Sequence, residues 1–119
     1  MARVVRQGEA KELGLPGRKS LEIVSGDSGS RAVTLRLVEI PVSKPGEAPR
    51  GRHFHTDTEE CIYVMSGAGC TESESGSHPL AAGDTILIPA GEPHVTHNTG
   101  GEPLVLLCFF PVARVTNRT

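Results

Sequence analysis

Two histidines one residue apart, His53 and His55, are the first feature of the sequence with clear chemical potential. Successive side chains of a β-strand point to opposite faces, so residues two apart lie on one face, roughly 6–7 Å from each other. Both imidazoles can therefore converge on one ion, while Phe54 between them packs on the other side. Glu59 and Glu60 follow within the next five residues, and either carboxylate could complete a set of donors. Imidazole and carboxylate together suit a transition-metal ion.

A second stretch, from Gly83 to Asn98, carries a further histidine at His94. Its order is glycine, five residues, Pro-x-Gly, two residues, histidine, three residues and asparagine. The first stretch has the order His-x-His, four residues, glutamate, six residues and glycine, with that glycine at Gly67. Together the two stretches resemble the paired signatures of the cupin superfamily.

The resemblance covers about residues 31–110, and fifteen residues separate Gly67 from Gly83, as in small single-domain cupins. One position departs from the pattern. The glycine expected six residues before the first histidine falls on Glu47, with Gly46 one place earlier. That departure concerns a loop turn and affects none of the expected ligands.

The resemblance implies an all-β fold, a double-stranded β-helix or jelly-roll barrel, with a metal ion held inside it. Transferred position by position, the ligands it implies are His53, His55, Glu60 and His94, which leaves Glu59 facing solvent. The expected cofactor is one divalent transition-metal ion, and the donor set suits Fe, Mn, Ni, Co, Zn or Cu alike. Such a set usually leaves coordination positions open for water or substrate, as catalysis by the ion requires.

Other side chains near the two stretches are weaker candidates for a role in a site. Tyr63 could act as a catalytic acid or base, although packing is the simpler interpretation of a tyrosine in a strand. Arg36, Arg50 and Arg52 could bind an anionic substrate at the mouth of the barrel, while a solvated loop accounts for the last two equally well. Thr96 lies two residues after the last motif histidine, so it faces the barrel interior and could contact substrate.

Short β-strands separated by turn residues are predicted along most of the chain. Apolar residues in alternation, and short apolar runs bounded by glycine or proline, favour strands over helices. The alternation slips at Val38, which predicts a bulge there. No sustained helical period is present, so an all-β sandwich or barrel is expected. The predicted strands are 31–40, 61–65, 85–88 and 104–110, with a polar hairpin tip over 72–78.

The 119 residues are enough for one domain with its own core. Residues 1–30 are expected to form an N-terminal extension or first strands, and residues 31–119 the barrel. The 14 glycines and 9 prolines fit many turns rather than long helices. With 12 basic residues against 14 acidic ones and few aromatic side chains, the chain lacks the positive charge and stacking groups of a nucleic-acid binder.

Location and partners follow from weaker signals. Residues 1–7 show no apolar stretch of a secretory signal, and the longest apolar run, 104–110, is seven residues, far short of a membrane span. Three cysteines without Cys-x-x-Cys spacing fit free thiols in the cytoplasm, which is the predicted compartment. The resemblance also implies a homodimer, and the strand over 104–110 is expected to be buried on both sides because its odd and even positions are all apolar.

A metal-dependent enzyme acting on a small molecule is the predicted function. Dioxygenase-like oxidation is favoured, because a mixed histidine and glutamate set supports bidentate substrate or O₂ binding. Redox-neutral lyase, isomerase or decarboxylase chemistry is the alternative, since the fold does not select a reaction. A non-catalytic module that binds a small ligand or metal is a further alternative, disfavoured because all four ligand positions are filled.

Overall fold

Almost all regular structure in the computed structural model, which describes all 119 residues, is β-strand. Two short 3-10 helices, Gln7–Glu9 and Gly26–Ser28, are the exceptions, and neither is long and apolar enough to cross a lipid bilayer. The strands are β1 (Lys11–Glu12), β2 (Lys19–Val24), β3 (Thr34–Ile40), β4 (Glu60–Ser66), β5 (Ala68–Ser73), β6 (Gly76–Ala81), β7 (Thr85–Ile88), β8 (His94–Asn98) and β9 (Leu104–Phe110).

The strands form two antiparallel sheets. A six-stranded sheet has the order β1-β2-β3-β9-β4-β7, and a three-stranded sheet has the order β6-β5-β8. β9 lies between β3 and β4 and pairs with both, so the last strand of the chain occupies the middle of the larger sheet. Two backbone bridges, His53 with His94 and Phe54 with Arg118, join the loop before β4 to β8 and to the C-terminal segment.

Apolar side chains from both sheets form one core. Alternation along each strand directs every second side chain inward. In β9 these are the even-numbered positions, from Leu104 at 0% exposure to Phe110 at 2%. The core consists of Val38, Ile40, Ile62, Val64, Leu80, Ile88, Leu104, Leu106, Cys108 and Phe110.

Three of the predicted strands correspond closely to observed ones. Residues 61–65 lie within β4, and the predictions over 85–88 and 104–110 coincide with β7 and β9. The hairpin predicted at 72–78 is present, but its turn is shorter, because β5 continues to Ser73 and β6 begins at Gly76. The polar composition of this segment therefore belongs mostly to paired strands.

β3 lacks the bulge that the sequence predicted at Val38. Its pairing with β9 is unbroken over the whole strand, and the register shift in this region lies on β2, between Glu22 and Val24. The apolar alternation slips because both faces of β3 carry apolar residues. Val38 is buried on the inner face, whereas Leu35 and Leu37 lie half-buried on the outer one.

The outer face of the six-stranded sheet is apolar yet accessible in the single chain. Within one chain β9 is buried on its even-numbered side only, since Val105 and Leu107 are half-buried and Phe109 is 38% exposed. Burial on both sides, as the sequence predicts, would require another subunit to cover the odd-numbered side. Phe109 lies opposite Cys61 of β4, which lies opposite Leu87 of β7. Leu87, Met65 and Tyr63 extend the exposed surface, with 56%, 50% and 44% of each residue accessible. We call Tyr63, Met65, Leu87 and Phe109 the outer apolar face.

Gly67, the last residue of the first signature, is enclosed by neighbouring backbone. Its φ is +86°, and a Cβ added there would lie 2.7 Å from the carbonyl oxygen of Pro103. Gly83, the first residue of the second signature, has a similar φ of +93° but no atom within 4 Å of such a Cβ.

We expect Gly67→Ala to lower the free energy of unfolding by about 1–3 kcal/mol more than Gly83→Ala does. Both variants strain a left-handed backbone, but only the first also overlaps with backbone atoms that no rotamer change can move. Urea denaturation of the two variants measures the difference. Equal losses would contradict the expectation and would mean that the chain around Pro103 shifts freely.

Candidate metal centre

Four side chains converge inside the barrel: those of His53, His55, Glu60 and His94. One donor atom of each lies within 4.8 Å of the others. The Nε2 atoms of His55 and His94 are 3.4 and 3.2 Å from Oε1 of Glu60. His53 is half-buried and the other three are buried, whereas Glu59 is exposed and takes no part. The structure thus brings together the complete set that the two signatures indicate.

Backbone hydrogen bonds between the two signatures hold these residues in place. The N–H groups of His53 and His94 each donate to the other's carbonyl oxygen, at 3.0 and 2.8 Å. The N–H of Gly91, in the turn after β7, donates to the carbonyl of His55 at 2.7 Å. Glu60 begins β4, beside the end of β7. The turn between β7 and β8 and the start of β4 therefore meet at one end of the barrel.

Hydrogen bonds also fix the protonation pattern of two imidazoles. Nδ1 of His55 lies 3.0 Å from the carbonyl oxygen of Thr116, and Nδ1 of His94 lies 2.9 Å from that of Glu92. A carbonyl oxygen only accepts, so each Nδ1 must carry the proton and donate it. In the neutral rings, Nε2 therefore presents its lone pair to the carboxylate of Glu60. Metal-binding histidines are commonly oriented in this way, with one nitrogen donating and the other coordinating.

The Nε2 atom of His55 is buried and has no hydrogen-bond partner. Lone pairs and a carboxylate that face one another repel unless a cation lies among them. A proton can serve one ring. Burial lowers the pKa of His94, but its hydrogen bonds to Glu60 and to the carbonyl of Glu92, together with the charges of both carboxylates, outweigh burial and raise it. A divalent ion can serve every donor at once, since nitrogen and oxygen ligands bind about 2.0–2.2 Å from such ions. The donor set therefore fits a metal ion.

The charge states of the remaining donors also favour metal binding. Burial, together with the neighbouring imidazoles of His94 and His55, lowers the pKa of His53 to about 4, so this ring is neutral at pH 7. Burial alone would raise the pKa of Glu60, but the two imidazoles beside it lower that pKa to about 2. Because a metal ion needs neutral imidazole and ionised carboxylate, His53 and Glu60 are already in their binding forms.

The donors line a small cavity, of about 50 Å³, that also contains three arginines. Arg36 points inward because of the register of β3, and its guanidinium lies 3.2 Å from the carboxylate of Glu22. Arg50 donates a hydrogen bond to the carbonyl of Thr96. Arg18, the residue immediately before β2, also lines the cavity. The remaining wall has the apolar residues Leu15, Val38, Ile40, Ile62, Leu106, Cys108 and Phe110 and the polar residues Ser20, Thr96 and Asn117.

The weaker candidates from the sequence divide between the cavity and the exterior. Arg36 and Thr96 line the cavity. Tyr63 does not: its side chain lies on the outer apolar face, because it occupies the opposite face of β4 from the buried residues, and this excludes contact with the donors. Arg52 also lies outside, nearly half-exposed, with its guanidinium 3.9 Å from the carboxylate of Glu72.

The sequence motifs do not point to two further residues of the cavity, Arg18 and Ser20. Both belong to the segment before β3, and they line the cavity because β2 pairs with β3 in the larger sheet. Ser20 is 1% exposed, and its Oγ has no hydrogen-bond partner. A strand prediction for Lys19–Val24 could have placed Ser20 on an inner face, but no spacing rule connects it to the histidines.

Comparison with known proteins agrees with this geometry. The sequence matches the Cupin_2 family, described as a cupin domain, over residues 42–110. Protein SchB from Streptomyces halstedii is 38% identical over 67 residues, which cover 56% of this chain and 48% of SchB. A glucose-6-phosphate isomerase from Thermococcus gammatolerans is 35% identical over 66 residues, which cover 50% of this chain and 35% of that enzyme. The chain spans about half or less of the length of these curated relatives.

Among solved structures, a mutant form of the oxalate decarboxylase OxdC from Bacillus subtilis superimposes with a TM-score of 0.82 at 25% sequence identity. The match covers 96% of this chain and 31% of the larger protein. The jelly-roll barrel predicted from the sequence is confirmed by this likeness and by the two antiparallel sheets.

Proposed function

Because this chain belongs to the cupin domain family, we propose that it is a metal-dependent enzyme that acts on a small molecule. His53, His55, Glu60 and His94 would hold one divalent transition-metal ion. The observation that carries the proposal is the buried Nε2 of His55, which makes no hydrogen bond and faces the carboxylate of Glu60 at 3.4 Å.

The ion, when bound, supplies Lewis acidity by polarising a substrate oxygen. The protein's own residues supply orientation and environment. The carbonyls of Thr116 and Glu92 keep the imidazoles of His55 and His94 turned toward the ion. Apolar walls limit the water that enters the cavity, which strengthens every charge interaction inside it.

Redox-neutral chemistry of the isomerase, lyase or decarboxylase type is the reaction class we favour. The similar proteins include a glucose-6-phosphate isomerase and an oxalate decarboxylase. In addition, a cavity lined by arginines can stabilise negative charge that develops on a substrate. Dioxygenase-like oxidation, which the mixed donor set also supports, is the second candidate. Equal turnover with and without O₂ supports the first class, and a strict need for O₂ supports the second.

Elemental analysis of the protein purified without added metal is the direct test. We expect about one transition-metal ion per chain. Metal-loaded protein is then incubated with small hydroxy acids, keto acids and sugar phosphates, and products are followed by NMR in air and under nitrogen. Protein that binds no ion, even after dialysis against Zn²⁺, Mn²⁺ or Fe²⁺, would refute the metal-dependent function. Protein that binds an ion but turns over none of these compounds would favour a non-catalytic binding module.

We also propose that the outer apolar face packs against a second copy of the chain to form a homodimer. Four large apolar side chains on one sheet face are more than a soluble monomer usually exposes together. We expect light scattering to give about twice the 12.6 kDa of one chain, and Leu87→Glu to give a monomer. Val42→Glu is the matched control, because Val42 is 41% exposed but lies in the loop after β3. A monomeric parent protein would contradict the proposal.

A further inference from the structure

Three guanidinium groups share the cavity with the metal donors, and their surroundings differ. Arg36 has a carboxylate partner in Glu22, with both side chains about 10% exposed. Arg50 packs its stem over Gly17, where a Cβ would lie 2.7 Å from its Cδ, and donates to a β8 carbonyl. Arg18 donates to the carbonyl of Pro16 at 2.9 Å and has no carboxylate within ion-pair distance. Its charge therefore has no direct carboxylate partner, and the charge of Glu60, one of the metal donors, acts on it only from beyond ion-pair distance.

Ser20 provides an independent observation beside Arg18. Its hydroxyl is buried, lines the same cavity and makes no hydrogen bond within the protein. A buried hydroxyl without a partner is costly, and native structures usually satisfy such groups with protein, water or ligand. The hydroxyl of Ser20, which has no hydrogen-bond partner, and the guanidinium of Arg18, which has no carboxylate partner, thus line the same small cavity.

The charge balance of this space favours an anion. Glu60 offsets only part of the charge of a divalent ion, and Arg36 is neutralised by Glu22. The charges of Arg18 and Arg50 remain. Burial lowers the pKa of Arg18 and the neighbouring Arg36 lowers it further, while the charge of Glu60 acts in the opposite direction without cancelling them.

The space beside the metal donors suits a small anionic group. One water needs roughly 10–15 Å³ of such space, so about 50 Å³ has room for a group of a few non-hydrogen atoms. A carboxylate matches the planar fork of a guanidinium and can accept a further hydrogen bond from a hydroxyl.

We propose that the cavity binds a small carboxylic acid as its substrate, with the carboxylate held by the guanidinium of Arg18 and the hydroxyl of Ser20 next to the metal donors. The inference rests on the proposed function in one respect, namely that a metal ion lies beside the bound carboxylate. The carboxylate site itself depends only on residues of this chain, so the two can be tested separately.

The test is isothermal titration calorimetry with acetate, lactate and malonate, on Mn²⁺-loaded and on EDTA-treated protein. Malonamide serves as the neutral counterpart of malonate, and inorganic phosphate and glucose 6-phosphate as alternative anions. We expect at least one carboxylate to bind, and its amide or phosphate counterparts to bind at least about 10-fold more weakly. Metal content is measured for each sample.

Arg18→Gln is expected to weaken binding of the preferred carboxylate by about 10- to 100-fold, and Ser20→Ala by about 5-fold, with metal content unchanged. Arg52→Gln is the matched control, with an expected change below about 2-fold, since that arginine lies outside the cavity and is exposed. Equal affinities of parent protein and Arg18→Gln, tighter binding of phosphate, or no carboxylate binding would overturn the proposal. Carboxylate binding that depends on Arg18 in a protein unable to hold metal would support it while refuting the metal-dependent function.

Discussion

Replacing His55 with glutamine is expected to remove the metal ion. Loss of a residue that merely orients a ligand costs about 10- to 100-fold in metal affinity, and loss of the coordinating nitrogen itself should exceed about 100-fold. The fold should persist, because the substitution removes a single side-chain hydrogen bond, from Nδ1 of His55 to the carbonyl of Thr116, and leaves every strand pairing in place. Elemental analysis after dialysis measures the effect, and circular dichroism checks that the strands remain.

The control for this experiment is His97→Gln. His97 is half-buried on β8, opposite Cys70 of β5, and does not line the cavity. It should keep the metal content of the parent protein. If His55→Gln retains the ion as well as the control does, the four side chains are not the metal site, whatever else the cavity binds.

Metal loading is expected to raise the melting temperature of the EDTA-treated protein by about 10 °C. An ion at 100 times its dissociation constant stabilises the folded state by about 2.7 kcal/mol. For a domain of 119 residues, each kcal/mol corresponds to a few degrees. Differential scanning calorimetry during titration with Zn²⁺, Mn²⁺ or Ni²⁺ measures the shift.

Mg²⁺ provides the comparison ion, because it prefers oxygen ligands in octahedral arrangement and three of the four donors are imidazoles. It should leave the melting temperature almost unchanged. A shift of equal size with Mg²⁺ would indicate non-specific binding to acidic surface groups, and no shift with any transition metal would contradict a preformed site.

The donor set was predictable because its spacing is local. His53 and His55 are two residues apart in the loop before β4, where isolated bridges hold the backbone and the two rings lie 5.1 Å apart. Fixed spacings on either side of Gly67 and Gly83 mark the turns that bring His94 to them. Such signals survive in a single sequence, since each depends on residues within one stretch. The strands over 61–65, 85–88 and 104–110 were predictable for the same reason, whereas the one predicted over 31–40 begins only at Thr34.

The rest of the cavity depends on strand pairings and contacts between distant segments, which no short stretch of sequence indicates. Arg36 points inward only because β3 pairs with β9 in a register opposite to the one its leucines suggest. The carbonyl of Thr116 orients His55 across 61 residues of sequence. Arg18 and Ser20 arrive through a strand that the turn-rich composition of residues 1–30 conceals. The direction of Arg36, the contact between His55 and Thr116 and the position of Arg18 and Ser20 all depend on contacts between segments far apart in the sequence. No pattern within one segment indicates such contacts.

The two walls of the cavity come from different parts of the chain. The metal donors lie inside residues 42–110, the stretch that defines the family, whereas Arg18, Ser20 and Arg36 precede it. Substitutions in β2 and β3 can therefore change which molecule enters the barrel while the ion-binding residues stay as they are. The same barrel can thus hold the ion with one stretch of sequence and meet the bound molecule with another, so the two properties can be altered independently by mutation.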